Sequence, residues 1–176
     1  MNIENEFHSN GYKIIRHLIN PVDFSSYLDK VDEKGVLAPD EQVVGSKYLY
    51  KDRVFEKLLE FLVPFIEEQV GHKVYKTYSF ARKYPMGAEL KPHLDRDACE
   101  ITLSISLGYE GNPWPLWINN KSNLPVSVLL EPGDAIMFKG REHEHWREKN
   151  TFGTSSQVFL HYVDQNGPFS IHEDDN

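Results

Sequence analysis

Cysteine is almost absent from this chain of 176 residues, which contains a single one, Cys99. One thiol cannot form an intrachain disulfide, and it cannot build a structural zinc site of several thiolates. Long hydrophobic runs are missing as well, because no stretch approaches the roughly 18 apolar residues of a transmembrane helix. The first residues also lack the basic and apolar segments of a secretory signal. We therefore expect a soluble cytoplasmic protein with no membrane partner.

Basic residues are in the minority, since 19 Lys and Arg stand against 27 Asp and Glu, for a net charge of −8. A chain this acidic repels a polyphosphate, so a nucleic-acid partner is not expected. Hydrophobic residues make up 40% of the chain and aromatic residues 12%, which is enough for a core and excludes general disorder. The length favours one domain, residues 1–176. The sequence carries no signal of an oligomeric state.

Helical patterns occupy the first part of the domain, at about residues 20–71. Asn20 and Pro21 indicate the start of a helix, with Asn20 as its N-cap, and this helix should run to about Asp32. Residues 35–50 contain proline, glycine and side chains of mixed polarity, so we expect a loop there.

A second helical segment covers residues 53–70, where apolar side chains recur at helical spacing. Gly71 suits the residue that follows a helix end. Pro64 lies inside the segment, where it favours a kink or the start of another helix. We expect these helices to pack on the outside of one sheet.

Short strands separated by turns follow, at about residues 73–164. The predicted strands cover residues 75–84, 88–95, 100–107, 114–118, 126–130, 135–138 and 157–163. So many short strands indicate an all-β sandwich or barrel. An acidic tail of residues 165–176 completes the chain, and we expect its last residues, 172–176, to be frayed.

One predicted strand, residues 100–107, alternates between apolar and polar side chains. Its apolar residues point one way, and its polar residues, Glu100, Thr102, Ser104 and Ser106, point the other. The polar face either contacts solvent or lines a polar cavity inside a barrel. The pattern alone leaves both alternatives open.

Two short motifs carry candidate metal ligands. His93 and Asp95 share one face of a strand, because residues two apart in a strand point the same way. His143 and His145 follow later in the chain, in a charged segment. Two imidazoles and one carboxylate form a ligand set that leaves coordination positions of Fe(II) open. The zinc-protease motif HExxH is not matched, since the residue four positions after His143 is Arg147.

The order and spacing of these parts resemble the Fe(II)/2-oxoglutarate oxygenases, and most closely their prolyl-hydroxylase-like branch. The resemblance rests on residues 83–95, on residues 132–138, on His145 and on residues 157–164, and it covers about residues 75–164. It implies a mainly β fold, the double-stranded β-helix or distorted jelly roll, with N-terminal helices at its flank. It also implies Fe(II) as the metal, 2-oxoglutarate as cosubstrate and O₂ as oxidant.

The resemblance also implies roles for single residues. By motif position, His93, Asp95 and His145 are the metal ligands, with His143 as the alternative to His145. Tyr84 matches a tyrosine that contacts the cosubstrate.

One part of the family pattern is missing. Most of its members hold the distal carboxylate of 2-oxoglutarate with an Arg or Lys about nine or ten residues after the third ligand, where this chain has Thr154 and Ser155. A buried carboxylate needs a cationic partner, because an unpaired buried charge is too costly to desolvate. Arg147 is the first candidate for that partner, and Arg82, on the same strand face as Tyr84, is the second.

The resemblance implies an enzyme that hydroxylates an unactivated C–H bond of a peptide or small-molecule substrate. Two other functions stay open. The domain could be a non-catalytic jelly-roll binding module, in which His93 and Asp95 are ordinary polar residues. It could also be a metal enzyme that does not use 2-oxoglutarate, which the missing carboxylate partner suggests.

Overall fold

The computed structural model describes residues 6–175, and its helices lie mainly before residue 71. They are α1 (Glu6–Asn10), α2 (Val22–Glu33), α3 (Arg53–Phe61) and α4 (Val63–Val70). Asn20 caps α2 as predicted, because its Oδ1 accepts from the backbone N–H of Val22 at 3.2 Å and Pro21 already has helical backbone angles. The predicted second helical segment is two helices, because Pro64 lies in the first turn of α4, where a missing N–H is tolerated. Gly71 ends α4 with a left-handed backbone, φ 80°.

Strands dominate the rest of the described chain. In chain order they are β1 (Tyr12–Ile15), β2 (Ala38–Pro39), β3 (Lys47–Tyr50), β4 (Val74–Tyr84), β5 (Leu90–His93), β6 (Ile101–Tyr109), β7 (Leu116–Asn119), β8 (Pro125–Val128), β9 (Ala135–Phe138), β10 (His145–Arg147) and β11 (Ser155–Asp164). One sheet has the order β1-β9-β6-β11-β4-β3-β2, and the other has the order β5-β10-β7-β8. The strand pairs are antiparallel.

These two sheets confirm the predicted jelly-roll fold with helices at its flank. Helices α2, α3 and α4 cover the outer face of the larger sheet, where Leu28, Phe55 and Ile66 are packed in one core with Leu103 and Leu160. A smaller apolar cluster joins the edge of the larger sheet to β7 and β8. The helical layer therefore leaves the inner face of the larger sheet free to line the space between the sheets.

The expected loop at residues 35–50 was wrong in part, because it contains β2 and β3. Strand β3 pairs with β4, and Tyr48 lies opposite Arg82. Strand β3 is covered on its other side only by the two-residue edge strand β2 and is partly exposed, so its mixed polarity resembles that of a loop.

The alternating strand, β6, has its two faces in different surroundings. Every residue from 101 to 107 is buried, the polar ones included. Ile101, Leu103 and Ile105 belong to the helix-covered core. Thr102 and Ser104 line a cavity between the sheets. The polar face of this strand thus forms part of a polar interior rather than a solvent-exposed surface.

The acidic tail is ordered through Asp175, which corrects the expectation of a frayed end. Residues 170–175 form 3₁₀ turns interrupted by a kink at Glu173 and Asp174, and Asn176 lies outside the described residues. Lys51 and Arg96, which lie far from the tail in sequence, donate hydrogen bonds to Asp174 and Asp175. None of the helices in the described part of the chain is both long enough and apolar enough to cross a bilayer.

Candidate metal centre and cavity

Three predicted ligands come together at one edge of the smaller sheet. His93 at the end of β5 lies directly opposite His145 at the start of β10. Asp95 follows two residues after His93, and its backbone N–H donates to the Gly140 carbonyl at 2.9 Å. Residue 140 must be glycine for this approach, since an added Cβ would lie 2.2 Å from Asp95 Oδ2.

The ligand atoms of this triad face one another. His93 Nε2 lies 3.5 Å from Asp95 Oδ1, and His145 Nε2 lies 3.4 Å from the same oxygen. One ligand atom from each residue can be chosen so that all three lie within 4.8 Å of one another. Two imidazole nitrogens and a carboxylate oxygen at this separation can bind a single divalent cation.

Backbone carbonyls set the tautomer of both histidines. His93 Nδ1 lies 2.8 Å from the Lys91 carbonyl, and His145 Nδ1 lies 2.9 Å from the His143 carbonyl. A carbonyl oxygen only accepts, so Nδ1 carries the proton in each ring. Each Nε2 therefore keeps its lone pair, directed at the space beside Asp95, as in a metal-binding histidine.

His143 is close in sequence but its side chain is not part of the triad. Its ring packs against Gly11, where an added Cβ would lie 2.1 Å from His143 Nε2. Its contribution is the backbone carbonyl that holds His145. The structure thus brings the first choice of third ligand, and not the alternative, next to His93 and Asp95.

A second layer of polar groups holds the Asp95 carboxylate. Thr102 Oγ1 donates to Asp95 Oδ2 at 3.1 Å, and it lies 3.1 Å from His161 Nδ1. Burial alone would raise the pKa of Asp95, but the two imidazoles beside it, those of His145 and His93, outweigh burial and hold the pKa well below its usual range. Asp95 is therefore a carboxylate with one oxygen anchored and the other facing the two histidines.

His161 is a buried neutral imidazole, and this makes stability depend on pH. Burial lowers the pKa of His161 from 6.5 to about 4. Between these values the unfolded chain binds a proton that the folded chain does not. Stability is therefore lost as the pH falls from 6.5 towards 4. The His161 contribution to unfolding free energy should drop by about 2 kcal/mol from pH 7 to pH 5.

Urea unfolding of metal-free protein and of His161→Gln at pH 7 and pH 5 measures this effect. The parent should lose more stability than His161→Gln on acidification, whereas His17→Gln, on an exposed side chain, should behave as the parent does. Equal losses in parent and His161→Gln would contradict the assignment.

A cavity of about 160 Å³ opens beside the triad, between the two sheets. Its apolar lining consists of Leu90, Leu116, Phe138 and Phe159, together with Tyr78 and Phe80. Both candidate arginines, Arg82 and Arg147, also line it, whereas Tyr84 is not among its lining residues in the described chain. Polar and charged side chains make up more than half of its lining residues, so the cavity suits a small polar molecule held between apolar walls.

Arg147 is a buried cation without a carboxylate partner. Its side chain is 2% exposed and points inward beside His145, because residues two apart on β10 share a face. It donates to the Trp114 carbonyl and lies 5.0 Å above the Trp114 ring. Burial lowers the pKa of Arg147 to about 10, so the guanidinium stays charged at neutral pH. No acidic side chain among residues 6–175 lies within 4.0 Å of it.

Arg82 already has an anionic partner. Its Nε lies 2.6 Å from Asp40 Oδ2, and its terminal nitrogens donate to Gln42 Oε1 at 2.9 Å and to the Tyr84 hydroxyl at 3.2 Å. Tyr84 is buried, and in the described structure it connects to the cavity through Arg82. The structure thus joins these two predicted cosubstrate contacts in one network, with Arg82 between Tyr84 and the cavity.

Several buried polar atoms on the inner strands have no hydrogen-bond partner among the described residues. They include Ser104 Oγ and Ser106 Oγ on β6 and Gln157 Oε1 on β11. Such groups are costly unless something pairs with them. Of these three residues, Ser104 lines the cavity, and its hydroxyl can donate to an anionic guest as the Arg147 guanidinium can, whereas Gln157 Oε1 can only accept.

Sequence reasoning missed two kinds of site residue. Asp40 and Gln42 lie in the segment that was expected to be a loop, yet they hold Arg82. Asp40 Oδ1 accepts from the backbone N–H groups of Gln42 and Val43, which is a local turn signal that the sequence does display. Thr102 was noted only as part of an alternating face, and no local signal indicates that it meets Asp95.

No protein-family model matches the chain, and no curated protein matches it in sequence. Solved structures do match it in fold. A prolyl-4-hydroxylase from Pseudomonas putida superposes with a TM-score of 0.76 at 16% identity, over 90% of this chain and 95% of that one. HygX from Streptomyces hygroscopicus, with nickel, 2-oxoglutarate and hygromycin B bound, superposes with a TM-score of 0.73 at 13% identity. The match covers 94% of this chain and 88% of that one.

A prolyl hydroxylase from Trichoplax adhaerens, in complex with a peptide fragment of hypoxia inducible factor, gives 0.73 at 16% identity, over 92% of this chain and 87% of that one. At these identities the likeness establishes the fold, which is the one found in 2-oxoglutarate oxygenases. What the site does has to be argued from its own residues.

Proposed function

We propose that the protein is an Fe(II)- and 2-oxoglutarate-dependent oxygenase that hydroxylates an unactivated C–H bond. The observation that carries the proposal is the triad of His93, Asp95 and His145, with both Nδ1 atoms held by backbone carbonyls and both Nε2 atoms facing Asp95 Oδ1. Its position beside a cavity with an unpaired guanidinium supports a carboxylate cosubstrate.

The donor set fits Fe(II), because imidazole and carboxylate ligands in a two-to-one ratio are those of non-haem Fe(II) oxygenases. When bound, Fe(II) with 2-oxoglutarate and O₂ supplies the oxidising chemistry, and succinate and CO₂ are the coproducts. His93, Asp95 and His145 would hold the metal. Thr102 keeps Asp95 oriented, as residues behind metal ligands commonly do.

The remaining cavity residues would bind and shield the cosubstrate. Arg147 would pair with its distal carboxylate, and Arg82, held by Tyr84, would lie next to it. Leu90, Leu116 and Phe138 line the same cavity and would exclude water around the bound cosubstrate. A dry cavity strengthens every charge interaction inside it.

Turnover without a substrate tests the proposal, since enzymes of this kind slowly decarboxylate 2-oxoglutarate alone. We expect succinate to form only when Fe(II), O₂ and 2-oxoglutarate are all present. His93→Ala should abolish it, because that variant lacks one Nε2 ligand. His143→Ala, which keeps the carbonyl that orients His145, should retain it. Succinate is measured by chromatography, and succinate from His93→Ala at the parent's rate would contradict the proposal.

A metal enzyme that does not use 2-oxoglutarate is the second candidate. The observation in its favour is that both arginines already contact protein acceptors, Arg82 at Asp40 and Arg147 at the Trp114 carbonyl. Protein that binds metal at the triad but neither binds nor consumes 2-oxoglutarate would favour this candidate.

The substrate we propose is a peptide or a small molecule. Of the structures with this fold, one holds a peptide fragment and another holds hygromycin B. The net charge of −8 argues against a nucleic-acid substrate.

A further inference from the structure

Residues 170–175, which we call the closing segment, fold back against a group of basic side chains next to the candidate metal centre. We call Lys51, Lys76 and Arg96, with the Tyr50 hydroxyl, the basic cluster. The contacts between the two are numerous for so short a segment, and they involve both of its last carboxylates.

Asp175 is held as a carboxylate ligand would be. Arg96 donates to Asp175 Oδ1 and to Oδ2, each at 2.8 Å, and the Tyr50 hydroxyl donates to the same group. A bidentate arginine pair with an added hydroxyl is the geometry of specific carboxylate recognition. The Asp175 side chain is only 10% exposed, although it lies near the end of the described chain.

Asp174 occupies the rest of the basic cluster. Lys51 Nζ donates to its backbone carbonyl at 2.6 Å, and Lys76 pairs with its side chain. Asp174 and Asp175 both have left-handed backbones, with φ of 54° and 51°. Aspartate adopts this conformation more readily than most residues other than glycine, so the backbone cost that the contacts with the cluster offset is small.

The ring of Tyr78 separates the basic cluster from the cavity. Arg96 follows the candidate ligand Asp95, and its guanidinium carbon lies 4.5 Å from the centre of the Tyr78 ring. The Tyr50 ring lies 5.3 Å from the Tyr78 ring. Tyr78 lines the cavity, and its ring lies 4.5 Å from that of His161. A group bound by Arg96 would therefore lie beside the candidate reaction centre.

The closing segment supplies the carboxylates that lie nearest to the cations of the cluster, although Glu56 and Glu60 also act on Lys76 from a greater distance. Within residues 6–175, the carboxylates within 4.0 Å of Arg96 and Lys76 are those of Asp175 and Asp174. In a chain of net charge −8, such a cationic group at the edge of a site is a local exception. Electrostatic complementarity of this kind selects an anionic partner.

We propose that the basic cluster is the subsite that binds a carboxylate of the substrate, and that the closing segment occupies this subsite until the substrate displaces it. The proposal rests on the proposed function, because it assigns the substrate class of the same site. The substrate would be a peptide or small molecule with an acidic group close to the carbon that is hydroxylated.

The test uses a fluorescein-labelled peptide that copies residues 168–176, added to the full chain with Mn(II) and 2-oxoglutarate. The release variant combines Asp174→Asn and Asp175→Asn, which weakens the hold of the closing segment. We expect it to bind the peptide at least about tenfold more tightly than the parent does. Asp23→Asn with Asp29→Asn makes the same change in charge on α2, and it should bind as the parent does.

Arg96→Gln in the release variant should remove the gain, because the amide cannot form the bidentate pair. N-acetyl-aspartyl amide, with one side-chain carboxylate, is added as a competitor. If this compound displaces the labelled peptide, a single carboxylate is sufficient for binding to the cluster. If the peptide binds but the compound does not displace it, the substrate is assigned as a peptide. A release variant that binds no better than the charge-matched control, or that binds equally well with Arg96→Gln, overturns the proposal.

The parent protein offers a measurement that does not depend on any variant. Excess unlabelled peptide should speed hydrogen exchange of the backbone amides in residues 170–175. If the hydrogen-exchange rates of residues 170–175 do not change at saturating peptide, the claim that a ligand displaces the closing segment is overturned. Peptide binding and hydrogen exchange are both repeated without Mn(II) and 2-oxoglutarate. A negative result in these measurements therefore concerns the cluster itself and does not depend on whether the protein forms succinate. Binding by a protein that never forms succinate would overturn the assignment of the cluster to a substrate.

Discussion

Asp95→Ala and His145→Ala should each abolish binding of Fe(II) or Mn(II) at micromolar metal, while the parent binds about one ion per chain. Each change removes one of the three ligand atoms that lie within 4.8 Å of one another. Loss even of a residue behind the ligands commonly weakens metal binding about 10–100-fold, so loss of a ligand should cost more. Asp95→Asn, which keeps the shape but removes the charge, should also bind far more weakly.

His143→Ala is the matched control for His145→Ala. It removes an imidazole two residues away, yet keeps the backbone carbonyl that accepts the hydrogen from His145 Nδ1. We therefore expect it to bind metal nearly as the parent does. Titration calorimetry with Mn(II) under nitrogen measures all four variants. Loss of the site in His143→Ala but not in His145→Ala would reverse the ligand assignment, and a parent that binds no metal would favour a non-catalytic binding module.

The parts of the site that follow from local chain geometry were predictable. His93 and Asp95 are two residues apart on an extended segment, so their shared direction needs no knowledge of the fold. The second histidine ligand could not be chosen from local geometry, because His143 and His145 are both histidines and lie two residues apart, on the same face of an extended segment. The resemblance to an oxygenase family favoured His145, and the structure shows why the two differ: only His145 lies opposite His93 in the sheet.

The parts that depend on long-range contacts were not predictable. Gln42 and Arg82 meet across 40 residues, and Thr102 and His161 across 59. The acidic end of the chain resembles a solvated tail by composition alone. It is ordered because Arg96 pairs with Asp175, which lies 79 residues later in the chain. No local sequence pattern predicts this contact.

The missing arginine or lysine on the last strand raises the question of what binds the distal carboxylate. The structure separates the two candidates by their present partners. Arg82 has Asp40 at 2.6 Å, so its charge is already neutralised. Arg147 is buried against Trp114 with no carboxylate partner in the described chain. A buried unpaired cation is costly, and an anionic ligand relieves that cost.

We therefore expect Arg147→Ala to weaken 2-oxoglutarate binding by a hundredfold or more, which corresponds to about 3–5 kcal/mol for an orphaned buried charge. Arg147→Lys should recover little of the lost 2-oxoglutarate affinity, since an ammonium cannot reproduce the two parallel hydrogen bonds of a guanidinium. Arg82→Ala should weaken 2-oxoglutarate less and should also lower stability, because it leaves the buried Asp40 unpaired.

Titration calorimetry of 2-oxoglutarate into Mn(II)-loaded protein measures this, and Mn(II) binding itself is the control, because neither arginine is a ligand in the triad. Retained metal binding with lost 2-oxoglutarate binding in Arg147→Ala assigns that residue to the carboxylate. If Arg147→Ala and Arg82→Ala both bind as tightly as the parent, neither is the partner. The carboxylate would then have to be held by neutral groups such as Ser104, Ser106 and Gln157, which are hydrogen-bonding groups without the charge that a buried anion needs. That result would favour a metal enzyme that does not use 2-oxoglutarate.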